Sequence, residues 1–384
     1  MQINCTKNQL RKIGKKIRNG EVLTPEEEIS FAEFRKGHDK ILSNFRNRLN
    51  NQLSKSENQN VIFAQRLKKR DTIVNKLKDR HKEMDLLRMH DIAGMRLIFS
   101  NIFLLEKFRN SFLSIPGKKY IRTNDLDKYN YIKRPREITG YRGIHDVYEE
   151  KTDDPIKMHM ELQYRTKVQH AWSTTLEIWD SSFNRKAKFE NETNDVAAFF
   201  RYVSELFARK LEKSSFMQEL TDFELFKKIV SLDGKLGIIT KLKKIKRADY
   251  KISLLNVENE YILLQKIIES QKQIILNIKI ADTKSIDQSF DQYKELEKLY
   301  KDVVMVQVKQ PQKFLTKAYN NYYNDLSEFF KYYDSAIKLL RKNNEQECNI
   351  YAFWHNWRYF EFSDFFSSKK DVKEWLADKR ITQK

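Results

Sequence analysis

The chain has 384 residues, 40% hydrophobic and 33% charged, with 73 Lys and Arg against 53 Asp and Glu, a net charge of +20 and a pI near 9.5. That length supports two or three modest cores, while two cysteines, Cys5 and Cys348, are too few for a disulfide framework or a zinc site. No run approaches about 18 apolar residues and the polar, basic N-terminus lacks an apolar signal core, so a cytoplasmic chain without a membrane segment is expected. The excess charge suits a polyanionic partner such as phosphates, RNA or an anionic surface. It equally suits lysine-rich solvated faces.

Residues 1–60 read as a polar helical segment packing on the domain after it. Within it, Thr24 as N-cap, Pro25 and the acids behind it start a helix. Its apolar face is Ile29, Phe31, Phe34, Ile41, Leu42, Phe45 and Leu49. Val61–Ala64 suits a strand, and Asp71 suits the cap of a helix with Ile73, Val74 and Leu77 inward. "IAGMRLIFS" is a strand, 102–115 a helix, 116–140 mostly loop, and strands come next near 143–149 and 157–164. A helix from Lys167 carries Trp172, Leu176 and Trp179, and helix continues to about 230. Residues 61–230 therefore form an α+β domain with a mixed sheet and trailing helices.

Residues 231–250 read as a basic linker, with Lys241, Lys243, Lys244, Lys246 and Arg247 as a candidate RNA contact or a solvated face. Residues 251–384 read as a smaller α+β module with an aromatic-rich helical tail. Its strands are 261–268, 273–281 and 303–309, and Ser285 caps its first helix. The aromatic tail suits core better than a clamp or a partner surface.

Four stretches carry chemistry. In "QRLKKRDTIVNK", Arg66, Lys68 and Lys76 meet on one side if a strand turns tightly into a helix, and such cations neutralise phosphate charge. A solvated basic helix has the same pattern. In "HDIAGMR", Asp91 opens an apolar strand and is placed to hold Mg²⁺ through one oxygen, or simply to cap a turn. In "GYRGIH", Gly140 and Gly143 allow sharp turns around Tyr141, which suits stacking on a base or an ordinary core position. Arg142 and His145 would meet phosphate or ribose. In "MELQYRT", alternation puts Glu161, Gln163 and Arg165 on one face, the polar set of a phosphoryl-transfer site or of a solvated edge.

Taken in order, these stretches resemble the RelA–SpoT family of alarmone synthetases. The matches are Arg66-Leu67-Lys68 with Lys76, Asp91 to Arg96, Gly140 to His145, and Glu161 to Thr166 followed by Trp172, within roughly residues 40–185. The resemblance implies a mixed sheet of nucleotidyltransferase type and pyrophosphate transfer from Mg-ATP to a ribose 3′-hydroxyl. It implies that Arg66, Lys68 and Lys76 hold the ATP phosphates, supported by Arg96. Asp91 and Glu161 would bind Mg²⁺, Glu161 would help deprotonate the hydroxyl, and Tyr141 would stack the acceptor base. Arg142, His145, Gln163 and Arg165 would support the site.

Three departures fall on the acceptor side: Asn130-Tyr131-Ile132 for D-Y-I, Gly143 for a serine, and Pro135-Arg136 for P-K. Little before residue 60 resembles the family's hydrolase domain, which suggests a synthetase-only chain. The expected acceptor is GDP or GTP. The departures, the charge and the C-terminal module keep two toxin-like alternatives open: the tRNA 3′ end and adenosine nucleotides, with a regulatory protein or antitoxin as partner. A nucleic-acid-binding protein with a decayed site is the reading of a different class, and the retention of both Asp91 and Glu161 argues against it.

Overall fold

The computed structural model describes residues 5–55, 58, 60–79, 84–115, 117, 119–183, 195–245, 249–251, 261–270, 273–280, 286–299, 303–307, 317–355 and 357. Two N-terminal helices, α1 (Lys7–Asn19) and α2 (Pro25–Leu53), precede the first sheet. Both begin in capping boxes: Thr6 with Gln9, and Thr24 with Glu27. Next come β1 (Ile62–Leu67), α3 (Arg70–Asp79), β2 (Ala93–Phe99), α4 (Ile102–Leu113), β3 (Tyr120–Arg122), β4 (Ile144–Glu150) and β5 (His159–Thr166). They form a five-stranded sheet in the order β1-β2-β5-β4-β3, with β2 and β5 parallel and the other neighbours antiparallel. This is the mixed sheet with flanking helices expected from the sequence.

Four helices come after the sheet: α5 (Lys167–Phe183), α6 (Asp195–Leu211), α7 (Asp222–Leu236) and α8 (Ile238–Lys244). Residues 231–245, expected as linker, are instead helical. Gly237 in the left-handed region breaks α7 from α8, and Ile238, Ile239 and Leu242 are buried. The lysines that suggested a linker are the solvent face of α8. Lys241, Lys243 and Lys244 are exposed there, while Lys246 and Arg247 lie outside the described residues.

A second sheet, β6-β8-β7-β9, is built from β6 (Asp249–Lys251), β7 (Tyr261–Ser270), β8 (Gln273–Ile280) and β9 (Val303–Gln307). It carries α9 (Ile286–Leu299) and is followed by α10 (Asn320–Tyr323), α11 (Ser327–Arg341) and α12 (Glu345–Trp354). Ser285, the expected cap of α9, lies outside the described residues. The tail does not stay with its module. Phe329, Tyr333, Ile337 and Trp357 share a core with Trp172, Trp179, Phe200 and Phe226 of α5–α7. A second core joins α2, α4 and the inner face of the first sheet, and a third joins α1, α3 and the first half of α2 to Phe290, Tyr293, Val303 and Met305. Ile29, placed inward by its spacing, is 58% exposed, because the start of α2 runs beside a groove shared with α9. Cys5 and Cys348 are buried and free. Among the described residues, no helix is long and apolar enough to cross a membrane.

Candidate active site

Strand alternation places Glu161. Met160, Leu162 and Tyr164 of β5 are buried toward α2 and α4, so Glu161 and Gln163 lie on the opposite face. Register then builds two rows across the sheet. Arg66 pairs with Gly94, and Gly94 with Glu161. One step along, Arg96 pairs with Gln163, and Gln163 with His145. Cross-strand partners share a face, so cations and a carboxylate converge over a glycine that leaves room between them.

Asp91 stands just before β2, facing the turn from β1 to α3. Lys68 Nζ donates to its Oδ2 at 2.5 Å and Lys76 Nζ to its Oδ1 at 2.9 Å. Burial alone would push this carboxyl up, but the two ammonium groups hold it well below the usual range. Burial brings the Lys68 ammonium down to about 8, against the pull of Asp91. Asp71 does not cap α3. It falls in the helix's first turn, and the Arg70 N–H is taken by a carboxylate from elsewhere, Glu297 Oε1 at 3.1 Å.

Glu161 sits at the end of a hydrogen-bonded chain. Gln163 Nε2 donates to its Oε2 at 2.5 Å, and His145 Nδ1 lies 2.8 Å from its Oε1. His145 Nε2 meets the Tyr141 hydroxyl at 2.7 Å, and Arg165 Nε donates to that hydroxyl at 3.2 Å. Arg165 and Arg96 both also donate to Gln163 Oε1, at 3.1 and 3.3 Å. Burial opposes charge on Glu161, His145 and Tyr141, yet the charges around them outweigh it. Glu161 is pulled down to about 2, mainly by His145. His145 is raised to about 9 by Glu161 and Tyr141. The Tyr141 hydroxyl is brought down to about 8 by Arg165 and His145. At neutral pH the imidazolium therefore donates from both nitrogens.

This pairing makes stability depend on pH. The folded state keeps a proton on His145 that the unfolded chain, near 6.5, releases before about 9. The contribution is complete below about pH 6.5, declines through that window and is lost above about 9. His145→Gln should flatten the fall in Tm of the wild type across this range, read by scanning fluorimetry. Parallel curves for the two proteins would rule the pairing out.

Tyr141 is only 8% exposed, with Tyr131 and Trp172 against its ring and the Arg165 guanidinium 5.2 Å from its centre. Tyr131, beside it and half-buried, is the more open ring, with the Arg136 guanidinium 4.4 Å from its centre. Gly140 and Gly143 both adopt positive φ, at 74° and 153°. A Cβ on Gly143 would stand 3.1 Å from the Tyr141 hydroxyl, so the serine of the family pattern would crowd this ring. Arg142 is not brought to the site. Its guanidinium pairs with the buried carboxylate of Glu212, just past the end of α6, which also accepts from Thr166 Oγ1 at 2.5 Å and Gln169 Nε2 at 3.3 Å. It fastens the loop to the helical layer.

Two contributors were missed in the sequence. Glu177 on α5 faces Arg66 and Arg96 and helps hold their charge. It is an acid inside an otherwise buried helix run, which was the available signal. The other is the segment 317–323. The Tyr319 hydroxyl donates to Gln65 O at 2.5 Å and accepts from Gln65 N at 3.0 Å, on the open edge of β1. His170 Nε2 meets Lys317 O at 2.9 Å. Tyr319 and Tyr322 leave above Arg66, Arg96 and Gln163 a cavity of about 30 Å³, room for a single water.

Two hard oxygen donors, both held ionised and each feeling the other's charge, suit Mg²⁺, which takes one or two carboxylates and completes its shell with phosphates and water. Among the described residues, no group of three or more His, Cys, Asp or Glu is placed to hold a metal without such additional ligands.

Residues 65–180 match the family model described as "Region found in RelA / SpoT proteins". No curated protein matches the chain. Among solved structures it is similar to the small alarmone synthetase 1 from Bacillus subtilis bound to its product pppGpp, at 18% identity over 46% of this chain and 88% of that one, with a TM-score of 0.37. It is also similar to a GTP pyrophosphokinase family protein from Streptococcus pneumoniae, at 19% identity over 44% and 82%, with a TM-score of 0.32.

Proposed function

We propose that this chain, whose residues 65–180 match a region found in RelA/SpoT proteins, is a pyrophosphokinase that transfers pyrophosphate from ATP to the 3′-hydroxyl of GDP or GTP. The observation that carries the reading is the convergence of Arg66, Lys68, Lys76 and Arg96 on Asp91 and Glu161 across one sheet face. Phosphoryl-type transfer asks mostly for positioning and charge neutralisation, and this face supplies both. The acceptor oxygen bonds to the β-phosphorus of ATP as the bridge to the α-phosphate breaks, and AMP leaves.

Lys68 and Lys76 now neutralise Asp91 and would turn to the donor phosphates. Asp91 and Glu161 would hold Mg²⁺, which neutralises phosphate charge when bound. A carboxyl held near 2 is a weak proton acceptor. Glu161 therefore acts chiefly by orienting the hydroxyl and by its charge, taking the proton as the new bond forms. His145 and Gln163 fix both of its oxygens. γ-Labelled ATP offered with GDP, GTP, ADP or bulk tRNA tests the reading, and label on none of the four would overturn it.

One observation favours tRNA as a second reading. Lys128, Lys133, Arg134 and Arg136 are all exposed on the acceptor-side loop that carries Tyr131. If they contact RNA phosphates, changing the four to Ser should flatten the log–log salt dependence of transfer to tRNA by about 3. Transfer to GDP should keep its shallow dependence. Equal slopes for variant and wild type on tRNA would remove the loop as an RNA contact.

A further inference from the structure

The Lys68–Arg70 turn joins β1, which carries Arg66, to α3, which carries Lys76. It thus sets the relative position of all three expected donor-phosphate groups. Two side chains outside residues 65–180 grip its backbone. Arg35 of α2 donates from Nη2 to Lys68 O at 3.2 Å. Glu297 of α9 accepts from Arg70 N at 3.1 Å, the first N–H of α3 that has no partner inside the helix. The two also pair with each other, Nη1 to Oε2 at 2.9 Å and Nη2 to Oε1 at 3.0 Å.

Arg35 is 2% exposed, and its guanidinium lies 5.8 Å from the ring centres of both Phe290 and Tyr293. Phe290, Tyr293 and Glu297 succeed one another on α9 at spacings of three and four, so a single face of that helix receives Arg35. An ion pair buried this far is costly unless its remaining donors and acceptors are used. Here Arg35 Nη2 and Glu297 Oε1 are each used a second time, on the two ends of one turn, while Arg35 Nε has no partner among the described residues.

We propose that Arg35 and Glu297 form a clamp that positions the Lys68–Arg70 turn, making Glu297 of the C-terminal module a positioning residue for the donor-phosphate site. The proposal rests on the pyrophosphokinase reading. It assigns the module two opposed effects on one site. Through Tyr319 and Tyr322 it covers the donor face, and through Glu297 it orders the phosphate turn beneath. Deleting the module would therefore open the face and loosen the turn together.

A cavity of about 510 Å³ borders Arg35, Arg70 and Glu297, so a small carboxylate can reach the place that Glu297 occupies. The test uses the full chain with Tyr319→Ala and Tyr322→Ala, so that the donor face is open, with and without Glu297→Ala. Loss of Glu297 should raise the Kd of a fluorescent, non-transferable ATP analogue about tenfold. It should also speed amide exchange in the first turn of α3. Sodium formate should reverse both changes, and sodium chloride at the same ionic strength should reverse neither. Glu297→Gln, which keeps the side chain's bulk, should show a smaller loss and no formate rescue. Adding Arg35→Met to Glu297→Ala should abolish the rescue. Unchanged Kd and exchange in the Glu297→Ala protein, or losses that formate does not touch, would overturn the clamp. An analogue that fails to bind even with Glu297 present would overturn the pyrophosphokinase reading, and exchange at α3 would then decide the clamp separately.

Discussion

Glu161→Gln should lower pyrophosphate transfer by about 10²–10³-fold, the scale seen when one preorganised electrostatic contact is removed from a transfer site. The fold should survive. A glutamine at 161 can accept the Gln163 amide on its oxygen and donate from its nitrogen to His145 Nδ1, since a neutral imidazole serves as acceptor there. What disappears is the charge that holds His145 protonated and that would hold Mg²⁺ beside Asp91. Label transfer from γ-labelled ATP measures the loss, and circular dichroism and Tm report the fold. Retention of more than a few per cent of the wild-type rate would show that Glu161 has another role.

The second large effect concerns the cover on the donor face. Tyr319→Ala with Tyr322→Ala should tighten ATP binding by more than about tenfold and raise the rate of transfer at subsaturating ATP. Two tyrosines each bury on the order of 150–250 Å², and their removal enlarges a space that now admits about one water. Tyr319→Phe should give an intermediate result. It keeps the ring but gives up both hydrogen bonds to Gln65. Titration of an ATP analogue into the three proteins separates these cases. Binding unchanged in the double variant would mean that nucleotide enters by a route the two rings do not obstruct.

Local pattern was enough for the catalytic strand. Period-two alternation placed Glu161 and Gln163 together, and the capping box at Thr24 and Glu27 started α2 where expected. Lys68 and Lys76 meet because one short turn carries β1 into α3, and the pairing of β1 with β2 sets Asp91 beside that turn. Arg142 shows where pattern fails. Its partner Glu212 lies 70 residues away, and nothing in "GYRGIH" separates a phosphate contact from a buried ion pair. The basic run near 241 misled for a related reason, since lysines report the solvent face of α8 while its three apolar residues fix its packing. Asp71 lost the capping role to Glu297, more than 220 residues downstream. Tyr319 and Tyr322 were legible only as members of an aromatic-rich helical stretch. That they cover a sheet edge depends on a fold-back that no local spacing encodes.

That fold-back also sets an order of events while the chain is made. Tyr319 comes 254 residues after Gln65. At about 5–20 residues per second, roughly 13–50 s separate the emergence of the two from the ribosome. Throughout that interval β1 and β2 can pair, because only the short α3 connection separates them in sequence, whereas the backbone of Gln65 has no tyrosine to meet. A nascent chain is thus born with its outer strand bare and its donor face uncovered, and both are sealed only when the segment around Tyr319 arrives. Translation that stalls before Tyr319 would leave an open catalytic layer on the ribosome, a catalytic face made before its cover exists.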